Sequence, residues 1–90
     1  MSITVIFKPD GTTTEQYHEI LRRLDAAGAG APAGRLYHTC FGDHSALGVV
    51  DVWDSLAEFE AFGAILRPII QDVGAAVAEP EIHETYNVIQ

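Results

Sequence analysis

The sequence of 90 residues predicts one α+β domain with the element order β-α-β-β-α-β. Short segments rich in β-branched and aromatic residues alternate with two amphipathic segments whose apolar residues recur at helical spacing. Each amphipathic segment begins at a Thr or Ser followed three residues later by Glu, the pattern of an N-terminal capping box. Only a short polar turn separates the second strand from the third, which indicates a hairpin.

The first half of the chain predicts a strand, a turn, a helix and a connector. Ser2–Lys8 is the strand, and Pro9–Gly11 is a turn in which Pro presets φ and Gly accepts a positive φ. Thr12 and Glu15 form the first capping box. Ala26–Gly34 ends the helix as a flexible connector; its glycines follow a helix, which is the wrong context for a phosphate-binding loop. One face of the helix carries Tyr17, Ile20, Leu21 and Leu24.

The middle of the chain predicts a β-hairpin. Arg35–Gly42 is the second strand, and the third strand is Leu47–Trp53. Residues 43–46 between them, Asp43-His44-Ser45-Ala46, form the turn.

The remainder predicts a second helix and a last strand. Ser55 and Glu58 form the second capping box, so the helix runs from about Ser55 to about Gly74. Pro68 predicts a kink, or a short second helix with this proline in its first turn. Glu81–Ile89 is the last strand. The apolar face of the helix comprises Leu56, Phe59, Phe62, Leu66 and Ile69.

This order is typical of the ferredoxin-like fold, a four-stranded antiparallel sheet with two helices on one face. Strands one and three are apolar on both faces, and 48% of all residues are apolar. A single two-layer domain of this size needs fewer apolar residues than this to form its core. We therefore expect a second copy of the chain to cover the other face of the sheet.

Charge and cysteine content narrow the classes of partner and compartment. The formal charge is −8, with 13 acidic and 5 basic residues, which argues against nucleic-acid and membrane-surface partners. The lone Cys40 cannot form an internal disulfide, which suits a reducing compartment. The sequence shows neither a signal-peptide pattern nor an apolar run long enough to span a bilayer, so we expect a cytoplasmic protein.

The segment Val52-Trp53-Asp54-Ser55, leading to Phe59 and Phe62 and followed by Pro68, resembles the dimeric α/β-barrel superfamily. This superfamily includes the antibiotic-biosynthesis-monooxygenase-like proteins and the heme-degrading monooxygenases. The resemblance implies a homodimer with a small-molecule pocket between sheet and helices. It does not imply one reaction, because cofactor-free oxygenases, isomerases and polyketide cyclases share the fold.

His38 and Asp51 are the candidate catalytic residues. If the hairpin turn is centred on residues 44 and 45, antiparallel pairing places His38 opposite Asp51. Strand alternation then puts Leu36, Cys40, Val49 and Trp53 on the same face. A carboxylate facing an imidazole in apolar surroundings orients the ring and raises its basicity, which suits a general base. The alternative is a core pair in which each side chain satisfies the other.

Trp53, Phe62, His83 and Tyr86 are the candidate substrate-binding residues, and Trp53 is equally suited to a core position. His83 and Tyr86 lie on opposite faces of the predicted last strand. Tyr17 and Tyr37 are further pocket candidates. Heme-degrading relatives ligate iron through a histidine on the second helix, and residues 55–74 contain none, so heme degradation is the weaker option.

The remaining motifs predict neither a metal nor a cofactor. His38, His44, Asp51 and His83 lack the spacing of a metal site. Cys40 has no basic neighbour in sequence that would activate it, which favours a buried thiol.

Two functional hypotheses remain. The first is a cofactor-independent enzyme, either monooxygenase-like or an isomerase or cyclase, that acts on an apolar, aromatic or polyketide-like molecule with His38 as base. The second is a non-catalytic ligand-binding or structural dimer.

Overall fold

The computed structural model describes residues 1–89 and contains the six predicted elements in the predicted order. They are β1 (Ile3–Phe7), α1 (Thr14–Ala26), β2 (Arg35–Asp43), β3 (Ala46–Trp53), α2 (Leu56–Val73) and β4 (Glu81–Glu84). The β2–β3 turn is only two residues long, His44 and Ser45, as the predicted hairpin requires.

The four strands form one antiparallel sheet in the order β2-β3-β1-β4. β1 lies in the middle, where Val5 stands opposite Asp51 of β3 on one side and Ile82 of β4 on the other. The ferredoxin-like α+β fold is therefore confirmed.

Both helices cover the same face of the sheet, as predicted. That face presents Val5 from β1 and Trp53 from β3, and both side chains are buried against the helices. The buried core of the domain consists of Val5, Ile20, Leu24, Ala29, Trp53, Phe62, Ile70 and Ala75. Burial of these side chains is the main stabilising contribution, about 1.5–3 kcal/mol for each large one.

The first helix starts one residue later than predicted. Its N-cap is Thr13, whose hydroxyl accepts the Gln16 N–H at 3.1 Å while the Gln16 side-chain oxygen accepts the Thr13 N–H at 3.1 Å. The predicted Thr12–Glu15 capping box is therefore wrong. Thr12 is instead buried, and its carbonyl accepts the N–H of Leu47 at 2.9 Å, which ties the start of the helix to β3.

The second helix has the predicted start and end. Ser55 is the N-cap and accepts the Glu58 N–H at 3.2 Å, and Gly74 closes the helix in the left-handed conformation at φ 82°. The prediction of a separate short helix at Pro68 is wrong, because α2 continues through this residue. Pro68 is exposed, so the hydrogen bond that it removes lies on the solvent side of the helix.

The last strand is shorter than the predicted Glu81–Ile89. β4 is an edge strand that pairs only with β1, and β1 begins at Ile3. The final backbone bond between the two segments joins the Thr85 N–H to the Ser2 carbonyl at 3.0 Å. Beyond this point β4 has no partner to continue the ladder, and the strand ends at Glu84.

The second face of the sheet has no helix against it. Strand register places on it Ile6, Tyr37, Phe41, Val50 and Val52, which we call the open face. Phe41 lies across Gly48 on the neighbouring strand, where a Cβ atom would come within 2.6 Å of the ring. Across residues 1–89, neither helix has the combination of length and hydropathy that crossing a bilayer demands.

Candidate active site

The β2–β3 hairpin brings His38 and Asp51 together. The two residues are direct cross-strand partners, and His38 Nδ1 lies 2.6 Å from Asp51 Oδ1. The predicted placement is confirmed. Asp51 is only 8% exposed, so its carboxylate is buried and held by this contact.

Tyr17 of α1 completes a chain of three polar side chains. Its hydroxyl lies 2.7 Å from His38 Nε2, on the side of the ring opposite Asp51. An ionised carboxylate can only accept, so Asp51 selects the tautomer in which Nδ1 carries the proton. Nε2 then accepts a hydrogen bond from the Tyr17 hydroxyl. We call Tyr17, His38 and Asp51 the relay.

Burial sets the protonation state of the Tyr17 phenol. It raises the pKa of Tyr17, and the neighbouring Cys40 thiol raises it further, while the positive charge of Arg35 acts in the opposite direction. Tyr17 therefore keeps its proton at neutral pH. Burial also raises the pKa of the Cys40 thiol, so this residue is protonated, as expected for a thiol without an activating cation.

The relay forms part of the wall of a cavity between the sheet and the two helices. The cavity has a volume of about 140 Å³. Its apolar lining includes Val5, Phe7, Ile20, Leu24, Val49, Phe59, Phe62, Leu66 and Ile70. Hydrogen-bonded polar groups set in apolar walls are the usual composition of a small-molecule site.

A β-bulge places Arg35 in this wall. The pairing shifts between Arg35 and Tyr37, so Arg35 rather than Leu36 stands opposite Trp53. The expectation that Leu36 shares a face with His38 is therefore wrong, and Leu36 is exposed. Bulges re-aim side chains and are frequent beside active sites.

The other predicted binding residues are not all brought together. Phe62 lines the cavity, whereas Trp53 is fully buried behind it and packs against the rings of Phe59 and Phe62. The structure thus gives Trp53 the core position and not that of a cavity wall.

His83 and Tyr86 lie outside the cavity. His83 is on the face of β4 away from the helices and forms a hydrogen bond with Glu81. Tyr86 follows the strand and is fully exposed, so the predicted division of these two residues between strand faces does not apply.

Two cavity residues have roles that the sequence did not reveal. Tyr17 was predicted only as a pocket residue, which its place in the cavity wall fits, and its contact with His38 was not predictable because it depends on how α1 packs on β2. Arg35 was placed at a strand start, and no sequence signal marked the bulge. Among residues 1–89, no three His, Cys, Asp or Glu side chains converge as metal ligands.

The fold is the ferredoxin-like α+β fold, and the solved structures that share it include proteins described as antibiotic biosynthesis monooxygenases. The chain superposes on SnoaB, a cofactor-independent oxygenase from Streptomyces nogalater, with a TM-score of 0.71 and 14% identity over 98% of this chain and 96% of that chain. A proposed antibiotic biosynthesis monooxygenase from Chloroflexus aurantiacus gives a TM-score of 0.68 and 18% identity over 100% and 98%.

A third structure of this type, from Caulobacter crescentus, has a TM-score of 0.62 and 14% identity, over 98% of this chain and 91% of that chain. At such identities the likeness concerns the fold alone. No protein-family model matches the sequence, and no curated protein matches it either.

Proposed function

We propose that the protein is an enzyme that removes a proton from an apolar, aromatic small molecule without a bound cofactor. One observation carries the proposal: the hydrogen-bonded relay of Tyr17, His38 and Asp51 in the wall of an apolar cavity. A polar chain of this kind is costly to bury, and its position at a cavity gives it access to a ligand.

The relay supports proton transfer in a defined order. The Tyr17 oxygen can still accept a hydrogen bond from a substrate O–H or acidic C–H while its own proton bonds His38 Nε2. Transfer from substrate to Tyr17, together with transfer from Tyr17 to His38, produces a substrate anion and an imidazolium. The Asp51 carboxylate, 2.6 Å from Nδ1, stabilises that imidazolium.

The substrate anion has two uses. A phenolate or enolate is electron-rich enough to react with dioxygen, and conversion of a CH₂ group to C=O consumes one O₂ and releases one water. The same anion, reprotonated at another atom, gives an isomer or a cyclised product. The fold of a cofactor-independent oxygenase, SnoaB, supports the first use.

A paired assay tests the proposal. Oxygen uptake is measured with a panel of phenols and hydroquinones, and exchange of the protons next to a carbonyl is followed by NMR in D₂O with aromatic ketones. We expect His38→Gln to abolish whichever activity the wild type shows. His44→Gln is the matched control, because His44 lies in the exposed β2–β3 turn. Equal activity of wild type and His38→Gln would contradict the proposal.

The competing proposal is a non-catalytic dimer in which His38 and Asp51 satisfy each other. The burial of Asp51 and its single short hydrogen bond support it. In that case both His38→Gln and Asp51→Leu lower the melting temperature, because each leaves a buried polar partner without its bond, and no turnover is found. Heme degradation is a further alternative that a hemin titration tests: a Soret shift would support it.

We further propose that the protein acts as a homodimer in the cytoplasm. The open face supports the dimer, since Tyr37 and Phe41 are exposed beside Ile6 and Val50 on a sheet that no helix covers. The lone cysteine supports the reducing compartment.

A further inference from the structure

The four arginines of the chain form two groups. Arg22 and Arg23 on α1 both bind Glu19, at 2.6 and 2.7 Å, on the outer surface of the helix. Arg35 and Arg67 both line the cavity. Within residues 1–89 the ion pairs closer than 4.0 Å include neither of these two, so neither guanidinium is held in a direct ion pair.

Arg35 is held in position by its surroundings. The bulge turns it towards the helices, and its guanidinium carbon lies 5.9 Å from the centre of the Phe62 ring. One of its N–H groups donates to the Gly30 carbonyl at 3.4 Å, which leaves further donors of the guanidinium available. Stacking over an aromatic ring fixes the orientation of an arginine without neutralising its charge.

Arg67 lies on α2 one turn after Gly63, and both residues face the cavity. A Cβ atom at Gly63 would have no heavy atom within 4 Å, so the space beside this glycine is open. The same wall of the cavity therefore combines open space with an exposed guanidinium.

The two charges are unusual for this molecule. A chain with a net charge of −8 repels anions at long range, and the cavity wall already holds the Asp51 carboxylate, which is hydrogen-bonded to His38. Two arginines without ion pairs in the same largely apolar wall therefore need a specific reason. A carboxylate is the group whose two oxygens match the guanidinium donors. A volume of about 140 Å³ suits a single aromatic ring, given that a dry apolar cavity of ~150 Å³ holds benzene.

We propose that the cavity binds an aromatic carboxylate. Its ring packs against Phe59 and Phe62, and its carboxylate accepts hydrogen bonds from Arg35 and Arg67. A hydroxyl or acidic C–H elsewhere on the ring faces the relay. This inference rests on the proposed function and names the substrate class of the same site.

Calorimetric titration with 3- and 4-hydroxybenzoate tests the inference, with 3- and 4-hydroxybenzamide as neutral ligands of the same shape. We expect at least one hydroxybenzoate to bind more tightly than its amide. Arg35→Gln and Arg67→Gln should each lower carboxylate affinity about tenfold, the loss of one charge-assisted contact at a partly exposed site, and leave amide affinity unchanged. Arg22→Gln is the matched control, because that arginine lies outside the cavity.

Arg67→Gln and one further variant, Gly63→Phe, keep the result interpretable. Arg67 is exposed on a helix, so Arg67→Gln reports on the charge even if Arg35→Gln disturbs the bulge. Gly63→Phe fills the open space and should abolish binding of both ligand classes, which locates them in this cavity.

The possible failures are distinguishable. Equal affinity for acid and amide, or a preference that survives both arginine variants, overturns the carboxylate inference and leaves the proton-transfer proposal to the His38→Gln assay. Absence of binding by all four compounds also overturns it, whatever that assay shows. If His38→Gln loses activity while the wild type shows no preference for carboxylates, the protein is an enzyme whose substrate is neutral.

Discussion

At the scale of single residues, neither nitrogen of the His38 ring is free, because Asp51 holds Nδ1 and Tyr17 holds Nε2. A substrate therefore meets the base through the tyrosine hydroxyl, or must displace it. Tyr17→Phe removes this hydroxyl and nothing else.

We expect Tyr17→Phe to lower kcat/KM by about 10²–10⁴, the usual contribution of a positioned acid–base group. The free energy of unfolding should change by only about 1 kcal/mol, because one hydrogen bond is lost. Steady-state kinetics and thermal unfolding of the same preparation measure both. Unchanged kcat/KM would mean that His38 contacts the substrate directly.

The pH dependence of stability reports on the same phenol. Burial raises the pKa of Tyr17 above its ordinary value of 10.0 in the folded chain, so the unfolded chain loses this proton first as the pH rises. The contribution of Tyr17 to the free energy of unfolding is therefore complete below about pH 10 and is lost as the pH rises through the folded pKa.

We expect the wild type to lose more stability than Tyr17→Phe between pH 9 and pH 11. Urea unfolding at each pH measures the difference. Subtracting the phenolate absorbance of Tyr17→Phe from that of the wild type at each pH gives the titration curve of Tyr17 itself. A midpoint of that difference at or below pH 10 would contradict the buried phenol.

The candidate site was only partly readable from the sequence. His38 and Asp51 were found because strand alternation and a two-residue turn fix their register. Tyr17 was not assigned to the relay, because the packing of a helix on a sheet sets that contact. Arg35 was missed because a bulge reverses strand alternation locally, and the sequence at the start of β2 carries no mark of it.

At the scale of elements, the two glycines of the α2 region have opposite conformations. Gly63 lies inside the helix, and a Cβ atom there meets nothing within 4 Å. Gly74 caps the helix at φ 82°, where a side chain is strained even though space is available.

Gly63→Ala should raise the free energy of unfolding by up to about 1 kcal/mol, because alanine loses less backbone entropy in a helix. Gly74→Ala should lower it by about 1 kcal/mol through left-handed strain. Urea titration of both variants measures the two effects. A Gly63→Ala variant less stable than wild type would show that the cavity side of α2 is more closely packed than its geometry indicates.

Element types and order followed from local signals, whereas several boundaries did not. Capping boxes and apolar periodicity identified both helices, and they missed the start of α1 by one residue because three successive threonines offer competing caps. The end of β4 depended on where β1 begins at the far end of the chain. That is a tertiary constraint, and no pattern within residues 81–89 contains it.

At the scale of the whole molecule, the two faces of the sheet differ in what covers them. The helices bury the face that holds Trp53 and form the cavity there. On the open face Tyr37 is 50% exposed and lies beside Phe41, Ile6 and Val50. The strands that carry these residues are hydrogen-bonded to their neighbours in the sheet. Apolar surface gathered on one flat side of a small domain is typical of an interface between copies.

Because this surface is central to the proposed dimer, a charge placed on it should separate the two chains. We expect the wild type to sediment as a dimer of 9.8 kDa chains and Tyr37→Asp to shift towards the monomer. A desolvated, unpaired carboxylate in the interface is strongly unfavourable. Ile65→Asp is the matched control: Ile65 is 44% exposed on α2, away from the sheet.

Analytical ultracentrifugation over a range of concentrations distinguishes the cases. A monomeric wild type would contradict the dimer, and dissociation by Ile65→Asp alone would move the interface to the helical side.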